Sequence, residues 1–268
     1  MSKSETPVKF DDSGLRNTRA HGAGALIINA DDWGRNPDNT DRIHQCIVHG
    51  TVSSTSAMVF MADSERAAEM ARASGADAGL HLNLTTPFSG VNVSARLTEH
   101  HRRICRYLRS NRLTQAVYHP GLAASFKYVV CSQLEEFERI YAEAPKRVDG
   151  HHHMHLCANV LYGRLLPTGT IARRNFSFQP GEKSTVNRWY RKWVDGILAK
   201  RHKLTDYFYS LPPMDTPGRL EDIFGLASES VVEVETHPVN DAEHQFLMSD
   251  RLFRDFKLDS IVSFRSLL

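Results

Sequence analysis

The sequence predicts an α/β fold, on three observations. From Ala25 onward, short β-branched or apolar runs alternate with longer helix-like stretches, the pattern of a parallel sheet wrapped by helices. Polar clusters stand directly after several of the apolar runs, where strand ends would gather at one face. No Pro-, Gly- or Ser-rich linker and no internal repeat divides the 268 residues. Residues 24–268 therefore read as one domain, preceded by a polar, aperiodic stretch over 1–23 that reads as a disordered tail.

The first strand is expected over Ala25–Asn29, followed by a polar turn Asp31-Asp32-Trp33-Gly34 and a helix opening near Asn36 with Pro37 in its first turn. Ser54–Phe60 reads as a second strand. The helix after it, Ser64 to Ala73, has Ser64 as the expected cap. Ala78–Leu84 is the third strand, and the Arg- and His-rich segment from Thr85 to about Ala123 reads as a long insertion or lid. An amphipathic helix is expected over Lys127–Ala144, with Val130, Leu134, Phe137 and Tyr141 along one face; it leads into Arg147-Val-Asp149. A short helix over Asn159–Leu166 and a strand over Ile171–Phe176 follow. Asn187–Lys200 is a basic helix carrying Trp189 and Trp193 at i, i+4, a spacing that reads as core or subunit interface rather than as a sugar platform. Strands over Asp206–Leu211 and Val231–Thr236 and a helix over Ser249–Lys257 complete the pattern before Ile261–Phe264.

Composition removes several function classes. The net charge is +2 with 24% charged residues, a balance that fits neither a disordered polyelectrolyte nor a strongly basic nucleic-acid binder. No apolar run approaches the roughly 20 residues of a membrane span, and the first residues carry no hydrophobic secretion signal, so a cytoplasmic protein is expected. Cys46, Cys105, Cys131 and Cys157 form no CxxC pair, which suits reduced thiols. Fourteen histidines are the unusual feature, since imidazole is the commonest metal ligand.

Four clusters carry the chemistry: Asp31-Asp32, His81 with Asn83, Asp149 to His155, and His237-Pro238. Histidines as dense as those of Asp149-Gly-His-His-His-Met-His155 repel when charged, and a bound cation relieves this. As a helix, the cluster would set His151 and His155 on one face like a zinc-protease motif, but His152 stands where that motif needs glutamate. As a strand end, it would turn His151 and His153 to one side and His152 to the other. Two adjacent carboxylates behind a buried strand are costly unless a cation or a proton cycle uses them; a helix cap plus a solvated neighbour is the plainer alternative. Asn83 shares a face with His81 by period two. One carboxylate and two imidazoles would hold a hydrolytic metal with open coordination, and Asp31 and His237 are the candidates for base and acid beside it.

The four motifs Asn29-Ala-Asp-Asp-Trp-Gly34, Gly79-Leu-His-Leu-Asn-Leu84, Asp149-Gly-His-His-His-Met-His155 and Glu235-Thr-His-Pro238 resemble, in order and spacing, the YdjC-like family of carbohydrate deacetylases, chitooligosaccharide deacetylases among them. The resemblance covers Ala25 to Leu268. It implies a single-domain distorted (β/α) barrel similar to polysaccharide deacetylases and removal of acetyl groups from N-acetylated sugars or oligosaccharides. One divalent ion, Zn or Mg first and Mn, Co or Ni as alternatives, is implied on Asp32, His81 and His151. Asp31 would be the water-activating base and His237 a catalytic neighbour, with Trp33, Asn83, His153 and His155 contacting substrate or supporting the ligands. Trp33 stands where the family has Phe, Val239 where a small residue is common, and the segment between Thr85 and Phe126 matches nothing in the family pattern. Hydrolysis of a phosphoester or another amide, and non-catalytic sugar binding on the same scaffold, are the competing readings. The partners implied are the sugar and at most a second copy of the chain as a homodimer, without nucleic acid or a membrane span.

Overall fold

A computed structural model describes residues 24–178, 182–211, 218–256 and 261–267; the tail expected over 1–23 lies outside them. Seven parallel strands are formed by β1 (Ala25–Trp33), β2 (Ser54–Ala57), β3 (Ala78–Leu82), β4 (Arg147–Gly150), β5 (Ile171–Ala172), β6 (Tyr207–Ser210) and β7 (Val231–Thr236). Their order is β5-β4-β3-β2-β1-β7-β6. The sheet curls until its ends meet. Ala172 N–H donates to the Lys203 carbonyl at 3.0 Å and Ser177 N–H to the Phe208 carbonyl at 2.7 Å, joining the β5 segment to the chain around β6. The result is the expected α/β architecture, a distorted (β/α) barrel.

The alternation of a strand sorts β1 into two populations. Leu26, Ile28 and Ala30 point outward into the main apolar core, which the helices cover. On the other face, Ile27 meets Ile171 and Phe264 at the amino end of the barrel, where the C-terminal turn closes it. Above that plug the barrel interior is polar: Asn29, Asp31, Ser56, His81, Arg147, Asp149, Arg173, Glu233 and Glu235 are all buried. Such groups are tolerable inside only when they satisfy one another.

The helices are α1 (Pro37–His49), α2 (Ser64–Ser74), α3 (Ala95–Ser110), α4 (Ala123–Tyr141), α5 (Ala158–Gly163), α6 (Thr185–Leu198), α7 (Arg219–Leu226), α8 (Asp241–Leu247) and α9 (Arg251–Phe256). Asn36 caps α1 by accepting from Asn39 N–H at 3.0 Å, and Gly50 ends it at φ 85°. The cap expected at Ser64 is not formed. Its hydroxyl instead donates to the Met58 carbonyl and accepts from Met61 N–H, both at 2.9 Å, bracing the loop before α2.

The segment read as a lid after β3 is largely the helix α3. Ser94 caps it, and Leu97, His101, Ile104 and Leu108 are buried, leaving the arginines outside. Helices α7 and α8, of 8 and 7 residues, are additions to the expected elements. The first strand runs four residues beyond its expected end, so Asp31 and Asp32 belong to β1 rather than to a turn.

Candidate metal centre

Adjacent residues of a regular strand point to opposite faces, so Asp31 and Asp32 should diverge. Asp32 breaks that rule. Its φ is 72°, and the β1–β2 register shifts between Ala30 and Trp33, so the bulged backbone brings both carboxylates toward the barrel mouth. His81, on β3, then places Nε2 3.6 Å from Asp32 Oδ1 and 3.9 Å from Asp31 Oδ2. His151 follows β4 directly and sets Nδ1 3.0 Å from Asp32 Oδ1.

The ligand atoms of Asp32, His81 and His151 lie within 4.8 Å of one another, and so do those of Asp31, His81 and Asp149. The second set is already engaged. Asp149 receives His81 Nδ1 at 2.6 Å, the Ser56 hydroxyl at 2.6 Å and the Arg147 guanidinium. In the first set, Arg35 holds Asp32 Oδ2 at 2.7 Å, while Asp32 Oδ1, with only the His151 ring edge beside it, and His151 Nε2 are buried and complete no hydrogen bond of good geometry. Buried polar atoms left open in this way call for an ion or water. An Asp-His-His donor set of this size fits a divalent cation.

A single guanidinium organises the remaining carboxylates. Arg173, just past β5, is fully buried and holds Asp31 through two bonds of 2.7 and 2.8 Å, Glu233 at 2.7 Å and Glu235 at 3.2 Å, while lying 4.8 Å above the Phe208 ring. Burial alone would raise the Asp31 pKa, but the charges of Arg173, His81 and His237 outweigh it and hold the carboxyl well below its usual range. Glu235 moves the other way, because burial and the neighbouring Asp31 charge outweigh Arg173. Burial would likewise raise Asp32 and lower His81. Hydrogen bonding to His151 and the charge of His81 reverse the first, and Asp31 and Asp149 reverse the second, so Asp32 is lowered and His81 raised.

The histidine run is a short 3-10 turn, His151–Leu156, and not a strand end. His152 and His153 have φ of 54° and 57°, which overrides the expected alternation. His152 consequently lies against His151 with ring centroids 4.0 Å apart and meets the Thr85 hydroxyl at 2.9 Å. His153 stands 3.8 Å from Glu235 and edge-on to Phe176 at 4.6 Å. Burial takes His152, His153 and His155 below the ordinary imidazole range, the first and last to about 4.

The structure thus brings Asp31, Asp32, His81, His151 and His153 together, with His237 near enough for its charge to act on Asp31. His155 sits behind them, its Nε2 2.8 Å from the Arg173 carbonyl. Trp33 and Asn83 are fully buried. The Trp33 indole donates to the Ala67 carbonyl at 3.1 Å, and Asn83 closes a turn with Thr85 and Thr86. Arg173, Glu233, Glu235 and the bridging role of Asp149 were not anticipated. A signal was present in Val231-Val-Glu-Val-Glu-Thr236, where glutamates at period two on a buried strand require a cation between them.

Known proteins supply the remaining context. The chain is 30% identical over 141 residues to a carbohydrate deacetylase from Mus musculus, covering 50% of this chain and 44% of that protein. It is 29% identical over 136 residues to a chitooligosaccharide deacetylase from Serratia marcescens, 49% of this chain and 50% of the other. The matched stretch spans about half the length of these curated relatives. Among solved structures, a candidate cellobiose-phosphate cleavage protein from Enterococcus faecalis V583 superposes with a TM-score of 0.63 at 17% identity, covering 91% of this chain and 99% of that one; the likeness is one of fold. The YdjC-like protein family model matches residues 25–260, and the chain belongs to that family.

Proposed function

We propose that this protein is a metal-dependent hydrolase that removes acetyl groups from N-acetylated sugars or oligosaccharides, with one divalent ion held by Asp32, His81 and His151. The convergence of those three side chains, with two buried ligand atoms left open, carries the reading. The names of the curated relatives support the choice of an acetamide as the bond. Two imidazoles and one carboxylate suit Zn, Co or Ni better than Mg, which prefers oxygen ligands. When bound, such an ion acidifies water and polarises an acyl oxygen.

The chain's own groups do the rest. Asp31, kept ionised and fixed in orientation by the two bonds from Arg173, accepts the proton of the attacking water. Glu235, whose pKa burial and the Asp31 charge raise against the pull of Arg173, shares that guanidinium and so limits the negative charge beside Asp31. His237, which directly follows β7, protonates the departing amine. All four cysteines are free thiols, which fits a reducing compartment and a cytoplasmic location.

Acetate release measured beside metal content tests the reading. Asp31→Asn is expected to lose turnover and keep the metal, whereas His81→Ala loses both. Normal turnover by the Asn variant would remove Asp31 from its role. Failure of the wild-type protein to release acetate from any acetylated mono- or oligosaccharide, with each of the five metals supplied, would overturn the function.

A further inference from the structure

The exposed large apolar side chains among the described residues are concentrated. Six of the eleven, Val117, Tyr118, Tyr162, Val186, Trp189 and Trp193, belong to α5, α6 and the loop ahead of α4. Ring contacts link α5, α6 and that loop: Tyr118 to Tyr162 at 6.5 Å, Tyr162 to Trp193 at 6.5 Å, and Tyr190 to Trp193 at 6.0 Å. On α6, Val186, Trp189, Tyr190 and Trp193 recur at helical spacing, while Val194, Asp195 and Leu198 are buried. Trp189 is 67% and Trp193 43% exposed, which excludes the core reading of this pair.

From α5 through its cap Arg164, and along α6, the solvent-facing charges have one sign, and Glu182 ahead of α6 is paired with Arg219. Arg164 and Lys192 are exposed and Arg188 is half-buried. The single carboxylate of α6, Asp195, is turned inward onto Arg174 and Asn175. We infer that the α5–α6 face docks onto an anionic bilayer surface, with Trp189, Trp193 and Tyr162 lodged at headgroup level and Arg164, Arg188 and Lys192 reaching the phosphates. Amphipathic Trp and Tyr rings favour the membrane–water boundary, and flanking Lys and Arg add attraction to acidic lipids. A second copy of the chain is a poorer occupant, because a two-fold interface would set the same cations against one another. A neutral sugar chain would leave the cations unused.

Vesicle co-sedimentation of the full chain tests this directly. Vesicles of phosphatidylcholine alone are compared with vesicles containing phosphatidylglycerol, and tryptophan emission is recorded alongside. Trp33 is fully buried, so a blue shift reports on α6. Expected are binding to the acidic vesicles only, its loss in high salt, and weakening by about 10-fold or more in Trp189→Ser/Trp193→Ser. Arg188→Glu/Lys192→Glu keeps both indoles and is expected to lose binding with unchanged circular dichroism. Four outcomes would each overturn the inference: equal binding to neutral vesicles; no binding to either kind; wild-type binding by both variants; or a tryptophan-dependent dimer that excludes lipid.

Discussion

His81 Nδ1 lies 2.6 Å from a carboxylate oxygen of Asp149, so the ring can face the Asp32–His151 pair only through Nε2. Asp149 is in turn fixed by Ser56 and Arg147, which makes the imidazole the end of a rigid chain of bonds rooted in the barrel interior. Carboxylates in this position orient a ligand and raise its basicity.

Asp149→Asn should therefore weaken binding of Zn by about 10- to 100-fold. The loss of an anion between Arg147 and Arg173 should also lower the unfolding free energy by roughly 3–5 kcal/mol. Calorimetric titration of the folded variant, beside urea denaturation, checks both. Wild-type affinity would show that the bond does not orient His81.

Metal binding should release a proton and strengthen with pH. His81 has a raised pKa without the ion, so its charged form persists above the ordinary imidazole value of about 6.5. The stabilisation from that proton is fully present below the unfolded value and is lost as pH rises through the folded one. A ligand needs the unprotonated Nε2, so affinity should climb by up to about tenfold per pH unit until the raised pKa is passed. Titration in two buffers of different ionisation enthalpy measures the proton released; a value of zero would contradict the arrangement.

Arg173→Met should destabilise the protein most at neutral pH and least in mild acid. In the wild type, Asp31 and Asp149 are lowered, so their contribution is present above the unfolded carboxyl value of about 3.9 and fades as pH falls through their folded values. Removing Arg173 leaves Asp31, Glu233 and Glu235 buried without their shared cation, and protonation then relieves the variant. Denaturation midpoints from pH 5 to pH 8 should fall with rising pH in the variant relative to the wild type. Parallel curves would be inconsistent with the network.

Gly150→Ala tests the histidine turn. A Cβ at that position would lie 2.8 Å from His155 N and 2.9 Å from His155 Nδ1, so the turn that presents His151 has to shift. Metal affinity is expected to fall by more than tenfold with a stability loss of about 1–3 kcal/mol. Gly225→Ala makes a useful control, since nothing lies within 4 Å of its added Cβ.

Much of this protein was determined by local sequence. Six of the seven strands, all but β4, lie within or overlap segments read as strands, because a buried parallel strand favours β-branched or apolar residues whatever surrounds it, whereas β4 (Arg-Val-Asp-Gly) carries no such run. The motifs at the carboxyl ends of β1, β3, β4 and β7 were legible for the same reason, since topology alone brings such ends to one face. What tertiary structure decided was direction and pairing. The left-handed backbone at Asp32, His152 and His153 sets which side chains turn toward the Asp32–His81–His151 cluster, and such angles persist through packing that no local pattern records. Arg173 is 142 residues from Asp31 and 60 from Glu233 in the chain, so its part in the centre became visible only when the barrel closed around it.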